Sequence, residues 1–157
     1  MIITHAWESD LPAILSLERA GFAETEQWSE GSWASELCAE DRRVLAARDA
    51  LGDLVGVATF GCVAEMADLH RVVVRSDVRG QGVAAALVRA GIEWSIALGA
   101  DRMLLEVRPD NNSAVRLYEK LGFITLARRS DYYGSGVDAL VMCRRLVGAD
   151  EWGLVRA

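Results

Sequence analysis

The chain has 157 residues, 52% of them hydrophobic, two prolines and a formal charge of −6. That is enough chain for one domain with a full core, and its composition excludes disorder. The acidic balance argues against a nucleic-acid surface, no apolar run is long enough to span a bilayer, and Cys38, Cys62 and Cys143 are too scattered for a disulfide framework or a zinc knuckle.

Residues 2–7 read as a first strand. The opening segment lacks the basic-then-apolar pattern of a signal peptide, so a cytoplasmic protein is expected. Asp10 is placed to cap a helix with Pro12 in its first turn and Leu11, Ile14, Leu15 and Leu17 on its apolar side, ending near Gly21. Residues 22–28 form a loop. Ser29 caps a second helix carrying Trp33 and Leu37 on one face. Phe22, Trp28 and Trp33 bracket that loop, as core residues or as a substrate wall.

Residues 44–48, 54–64 and 67–74 read as a meander of strands, the first two joined by a turn at Gly52. Gly56 and Gly61 mark bulges or close approaches. Residues 76–82 are a glycine turn, and Val83, Leu87, Trp94 and Leu98 then recur at helical spacing up to Gly99. Gly91 inside that helix points to a close neighbour. Backbone N–H groups converging at Gly80 and Gly82, with the helix dipole behind them, can hold a pyrophosphate. Arg71, Arg75, Arg79 and Arg89 face only Asp77 in this stretch, a local positive patch in an acidic protein.

Residues 102–107 are the next strand. Pro109, Asp110 and Asn111 end it and start a helix with Ala114, Leu117, Tyr118 and Leu121 on one face, closed by Gly122. Residues 123–129 and 137–146 form a last strand pair, joined by a loop holding Tyr132, Tyr133, Gly134 and Gly136. Residues 148–157 read as a short tail whose Trp152 docks or stays free.

A Rossmann fingerprint would need another glycine three residues after Gly82, where Ala85 stands. Arg79-x-x-Gly82-x-Ala84 instead resembles the acyl-coenzyme A loop of the GCN5-related N-acetyltransferases, the GNAT superfamily. The second half resembles it more specifically: Leu105-Glu106-Val107-Arg108, an asparagine at 111, then Ala114-x-x-Leu117-Tyr118-x-x-x-Gly122-Phe123. Arg129, Tyr132-Tyr133, Asp138-Ala139, Met142 and Trp28-Ser29 resemble the RimI-type N-terminal alanine acetyltransferases, which modify a small-subunit ribosomal protein. Two positions depart from that pattern. Arg71 stands where relatives often carry a small polar residue, commonly Asn, and His70 replaces a more apolar choice.

The resemblance implies an α/β (α+β) single-domain GNAT fold over residues 1–147. Its central mixed sheet of about seven strands is splayed between the strand before the glycine turn and the strand carrying Glu106, with helices on both faces. It implies acetyl-CoA as donor, coenzyme A as product and no metal. Val72, Val73, Val74, Arg79, Gly80, Gln81, Gly82, Val83, Ala84, Asn111, Ala114 and Tyr118 would bind the cofactor, with a backbone N–H near Val73 facing the thioester oxygen.

Acetyl transfer to an amine needs the thioester held, the amine deprotonated, the oxyanion stabilised and the departing thiolate protonated. Tyr118 is the general acid by its family position, or a core tyrosine with its hydroxyl at the rim. Glu106, an acid in an apolar strand, is a base made stronger by desolvation, or the partner of Arg108 or Arg102. Trp28, Arg71, Tyr132, Tyr133 and Asp138 would contact the acceptor. The cysteines, with Cys62 and Cys143 as small core residues, do not suit covalent catalysis, so direct transfer is expected.

The acceptor would be a protein N-terminus, such as a ribosomal protein's alanine, or a small amine. A non-catalytic acyl-CoA-binding module is the third reading. No nucleic acid or membrane partner is expected, and the protein would be a monomer or weak dimer.

Overall fold

The computed structural model of the chain describes residues 1–146; the tail at 148–157 lies outside the described residues. The strands are β1 (Ile2–His5), β2 (Arg42–Arg48), β3 (Leu54–Val63), β4 (Met66–Val74), β5 (Arg102–Val107), β6 (Ile124–Gly134) and β7 (Val137–Arg145). The helices are α1 (Leu11–Gly21), α2 (Glu30–Cys38), α3 (Val83–Ala97) and α4 (Asn112–Lys120). The strands form one mixed sheet in the order β1-β2-β3-β4-β5-β7-β6. This is the element order and α/β class that the sequence predicts. No helix among the described residues is long and apolar enough to cross a membrane.

The described residues divide into two compact units, 1–61 with 70–91 and 62–69 with those from 92 onward. In the first, β1 pairs antiparallel with β2 and β2 with β3. Ile14, Leu15 and Leu17 of α1 and Trp33 of α2 pack on Val44, Ala46, Val57 and Val73. Ser29 caps α2 as its sequence position predicts, its hydroxyl accepting from Ser32 N at 3.1 Å. Asp10 occupies the N-cap position of α1 but does not cap it. Its carboxylate accepts from Trp7 N and from Arg48, each at 2.8 Å, and so ties the preceding turn to β2.

Gly91 answers to Phe60. A Cβ built at Gly91 would lie 2.1 Å from the Phe60 ring, which is fully buried. The missing side chain is what lets α3 close on β3.

In the second unit, β4 pairs parallel with β5 from Met66↔Arg102 to Leu69↔Leu105, so His70–Val74 lies beyond the last pair of that ladder. Antiparallel ladders join β5 to β7 and β7 to β6. Met103, Leu105, Val107, Tyr118, Phe123, Ala139 and Met142 are buried here. β6 runs on through Tyr132 and Tyr133 to Gly134, where the sequence suggests a loop. The ladder is irregular between Arg129 and Gly134, and Asp131 has a φ of 55°. That irregularity gives the stretch the look of a turn.

Cys38 is exposed, and Cys62 and Cys143 are half-buried rather than core. Burial raises the thiol pKa of Cys62 and of Cys143, and a bond to Glu8 raises that of Cys38. None of the three is a ready thiolate.

Candidate active site

The glycine turn follows β4 directly. One turn of 3-10 helix at Ser76–Val78 leads to Arg79, then Gly80 at φ +78° and Gly82 at φ +84° open α3. Side chains strongly disfavour that conformation, so glycine is needed twice in three residues. A Cβ built at either glycine would meet nothing within 4 Å. The glycines thus serve the backbone path and not a packing contact. The N–H groups that begin α3 have no intrahelical acceptor, which is the arrangement that receives an anion. This cradle fits a diphosphate.

The positive patch around it is smaller than the sequence suggests. Arg75 pairs with Asp77 at 2.6 Å, which raises the arginine's pKa and lowers the aspartate's. Arg79 donates its Nε to Val74 O at 3.1 Å, clamping the turn to the end of β4.

Arg71 is committed inward. Its Nε and Nη2 donate to the two oxygens of Glu18, and Nη2 donates to Glu26 O at 2.9 Å. The guanidinium lies 3.6 Å from the centroid of Phe22 and 5.1 Å from that of Trp28. Glu18 also accepts from Trp28 N at 2.9 Å and Trp33 Nε1 at 3.1 Å. One buried carboxylate therefore gathers α1, α2, β4 and the loop at 22–28. Sequence reasoning missed Glu18, although it sits three residues after Leu15 and four after Ile14 on the apolar face. Trp28 packs at 5.1 Å on Trp33.

His70, the other unusual residue of β4, binds Glu36 of α2 through Nδ1 at 2.8 Å. Glu36 also accepts from Thr59 and from Arg42, each at 3.0 Å.

The second unit carries the candidate acid and base. Glu106 is exposed on β5 rather than buried, and Arg129 pairs with it at 3.1 Å. Arg108 pairs with Asp110 at 3.0 Å, and Arg102 stands 3.9 Å from Asp101. The Glu106 carboxylate also stands near Tyr132 and raises the pKa of its phenol.

Tyr118 is buried on α4 against the edge of Phe123, with centroids 5.9 Å apart. Burial, with a smaller contribution from Tyr133, pushes its phenol pKa well up. The proton is therefore retained at neutral pH, as a proton donor requires. Asn111 caps α4 by accepting from Ala114 N at 3.3 Å, which fixes its amide at the start of that helix.

Tyr132 and Tyr133 stack edge to face at 5.0 Å, both exposed. Asp138 is engaged by Arg128 at 2.7 Å and Asp131 N at 3.0 Å. These bonds hold its carboxyl below its ordinary pKa and pin the β6–β7 hairpin. No cluster of metal-ligating side chains occurs among the described residues.

The sequence model of the Acetyltransferase (GNAT) family matches residues 5–123. A Bacillus subtilis candidate [ribosomal protein bS18]-alanine N-acetyltransferase is 29% identical over 85% of this chain and 87% of its own. An L-methionine sulfoximine/L-methionine sulfone acetyltransferase of Pseudomonas aeruginosa is likewise 29% identical, over 77% of this chain and 78% of its own. Among solved structures, the ribosomal-protein-S18-alanine N-acetyltransferase of Escherichia coli is 30% identical. It superposes with a TM-score of 0.86 over 94% of this chain and 95% of the other.

Proposed function

Because the chain belongs to the Acetyltransferase (GNAT) family and is an N-acetyltransferase, we propose that it acetylates the α-amino group of a protein N-terminus. An N-terminal alanine, as on a ribosomal protein, is the preferred acceptor and acetyl-CoA the donor. The observation that carries the acceptor is the likeness to the E. coli enzyme over nearly all of both chains. The exposed Tyr132–Tyr133 pair beside Glu106 adds to it, since aromatic rings suit an extended peptide.

Acetyl-CoA, when bound, supplies the activated acetyl group as a thioester. On this reading the backbone at Gly80, Gln81, Gly82, Val83 and Ala84 binds the diphosphate. The backbone of Val72, Val73 and Val74 and the amide of Asn111 orient the rest. Glu106 takes the proton from the attacking amine, directly or through water. Tyr118 keeps its proton until the leaving sulfur needs it. Residues 1–147 act as the catalytic domain of a cytoplasmic monomer or weak dimer.

The test is thiol release from acetyl-CoA. A peptide beginning with alanine is measured beside spermidine, free amino acids and methionine sulfone, since the P. aeruginosa relative is as similar as the B. subtilis one. The peptide should lead in kcat/KM by at least about tenfold, some 1.4 kcal/mol of transition-state preference. Equal or faster turnover of a small amine would move the function to that class. Glu106→Gln should lower kcat by about 10²–10⁴-fold, with partial rescue at high pH where solvent deprotonates the amine; Tyr118→Phe should show no such rescue.

A further inference from the structure

The ladders bring a second charged side chain to Glu106 that the roles above leave unused. β7 lies between β5 and β6. Its Val141 is paired with Glu106 and its Ala139 with Arg129. Residues two apart on a strand share a face, so Glu106 and Arg129 stand on the same face, across a span floored by Ala139. A methyl group there leaves room for a guanidinium to cross. Arg128, one residue earlier, faces the other way and serves Asp138.

Arg129 Nη1 donates to Glu106 Oε1 at 3.1 Å while its guanidinium lies 4.2 Å from the Tyr132 ring centroid. One guanidinium thus touches both the carboxylate and the ring at an exposed site.

We propose that Arg129, braced on Tyr132, is a positioning residue that holds Glu106 in the rotamer from which it accepts the amine proton. This rests on the reading of Glu106 as the base. A glutamate exposed at a strand keeps its side-chain rotamer freedom, so an unrestrained carboxylate samples several directions. A planar guanidinium stacked on an aromatic ring is preorganised and restricts that sampling with a charge-assisted bond. A carboxylate has about four lone-pair sites. Arg129 uses one, and the amine N–H proton passes to one of the others. Arg129 stays protonated throughout and exchanges nothing.

The test is a double-mutant cycle of Arg129→Gln and Glu106→Gln in the full-length protein. An alanine-starting peptide is varied at saturating acetyl-CoA, so that kcat and KM are read separately. Arg129→Gln should lower kcat by about 10- to 100-fold, the scale of a misplaced catalytic group, with KM within about twofold. Arg129→Lys should recover part of the loss. In the Glu106→Gln background the same change should alter kcat by less than about twofold, because the group being positioned is gone.

An equal loss in both backgrounds would overturn the proposal, and so would a rise in KM alone, which would make Arg129 an acceptor contact. Wild-type kcat for Glu106→Gln by itself is a different result: it removes the base reading, and this proposal with it. Should Arg129→Gln fail to fold, Arg129→Lys and Tyr132→Leu, which removes the bracing ring, run through the same cycle.

Discussion

Two glutamate–arginine pairs in this molecule share their chemistry and differ in surroundings. Glu18 has a side-chain exposure of 1% and Arg71 of 15%; Glu106 and Arg129 have 32% and 55%. Glu18 accepts from Trp28 N, Trp33 Nε1 and both ends of the Arg71 fork, a full set for a carboxylate taken out of water. Its lone pairs are spent on the fold. Glu106 receives one guanidinium N–H and stays open to solvent, where a proton can reach it. The number of internal donors and the access of water, more than the residue types, separate a carboxylate that builds from one that can react.

Glu18→Ala should do the most damage to stability. It leaves the Arg71 cation stacked between Phe22 and Trp28 without its counter-charge and orphans Trp33 Nε1. Breaking a buried pair from one side costs about 3–5 kcal/mol. Urea denaturation followed by tryptophan fluorescence reads this as a lower midpoint with little change in slope. A loss below about 1 kcal/mol would mean that the pair is not the internal brace its contacts suggest.

Arg71→Asn, which restores the small polar residue often found at that position in RimI-type relatives, should lose less. Asparagine still offers an N–H donor, but it brings no charge to Glu18 and no surface to Phe22. The expected cost is about 2–3 kcal/mol. Glu106→Ala should sharpen the contrast. Its partner is largely exposed, so the stability change should stay within about 1 kcal/mol while activity falls by orders of magnitude. If Glu106→Ala destabilised the protein as much as Glu18→Ala, the distinction between the two pairs would collapse.

Most of the fold is legible in the sequence because its signals are local. Ser29 and Asn111 cap the helices they precede, and Gly80, Gly82, Gly99 and Gly122 all adopt positive φ where a turn or helix end needs it. The pairings that define the candidate site are not local. Glu18 and Arg71 are 53 residues apart, and Glu106 and Arg129 are 23 apart across an intervening strand. The sequence offers Arg108 and Arg102 as partners of Glu106 because they are near along the chain, and cannot point to Arg129. Arg108 sits past the end of β5, where Asp110 is within easier reach.

Likewise, an acid inside an apolar strand reads as buried, yet alternation gives it the exposed side: Leu105 and Val107 turn inward while Glu106 turns out. For Asp138 and Arg71 the sequence shows which residues carry charge but not that their charges are used internally.

The smallest expected effect tests a pair of intermediate kind, Glu36 with His70. Burial alone would raise the Glu36 pKa. Bonds from His70 and Thr59 and the charges of His70 and Arg42 outweigh it and hold the carboxyl below its ordinary value of 4.5. A carboxyl whose pKa is lower in the folded state than in the unfolded state adds stability above the unfolded value. That stability is lost as the pH falls through the folded one. Glu36 should therefore contribute fully at neutral pH and progressively less below about pH 4.5. Asp10, whose pKa is also lowered, gives the same sign, with Arg48 and Trp7 N as the partners that offset its burial. The wild-type acid limb will be the sum of such groups. Glu36→Gln isolates one of them: it keeps the shape, removes the titration and should flatten the fall in urea midpoint below pH 4.5. The two proteins should differ most near neutrality and converge in acid. Curves that run parallel through the whole acid range would show that the Glu36 bonds add no pH-dependent stability and that this pair does not brace the unit as the one at Glu18 does.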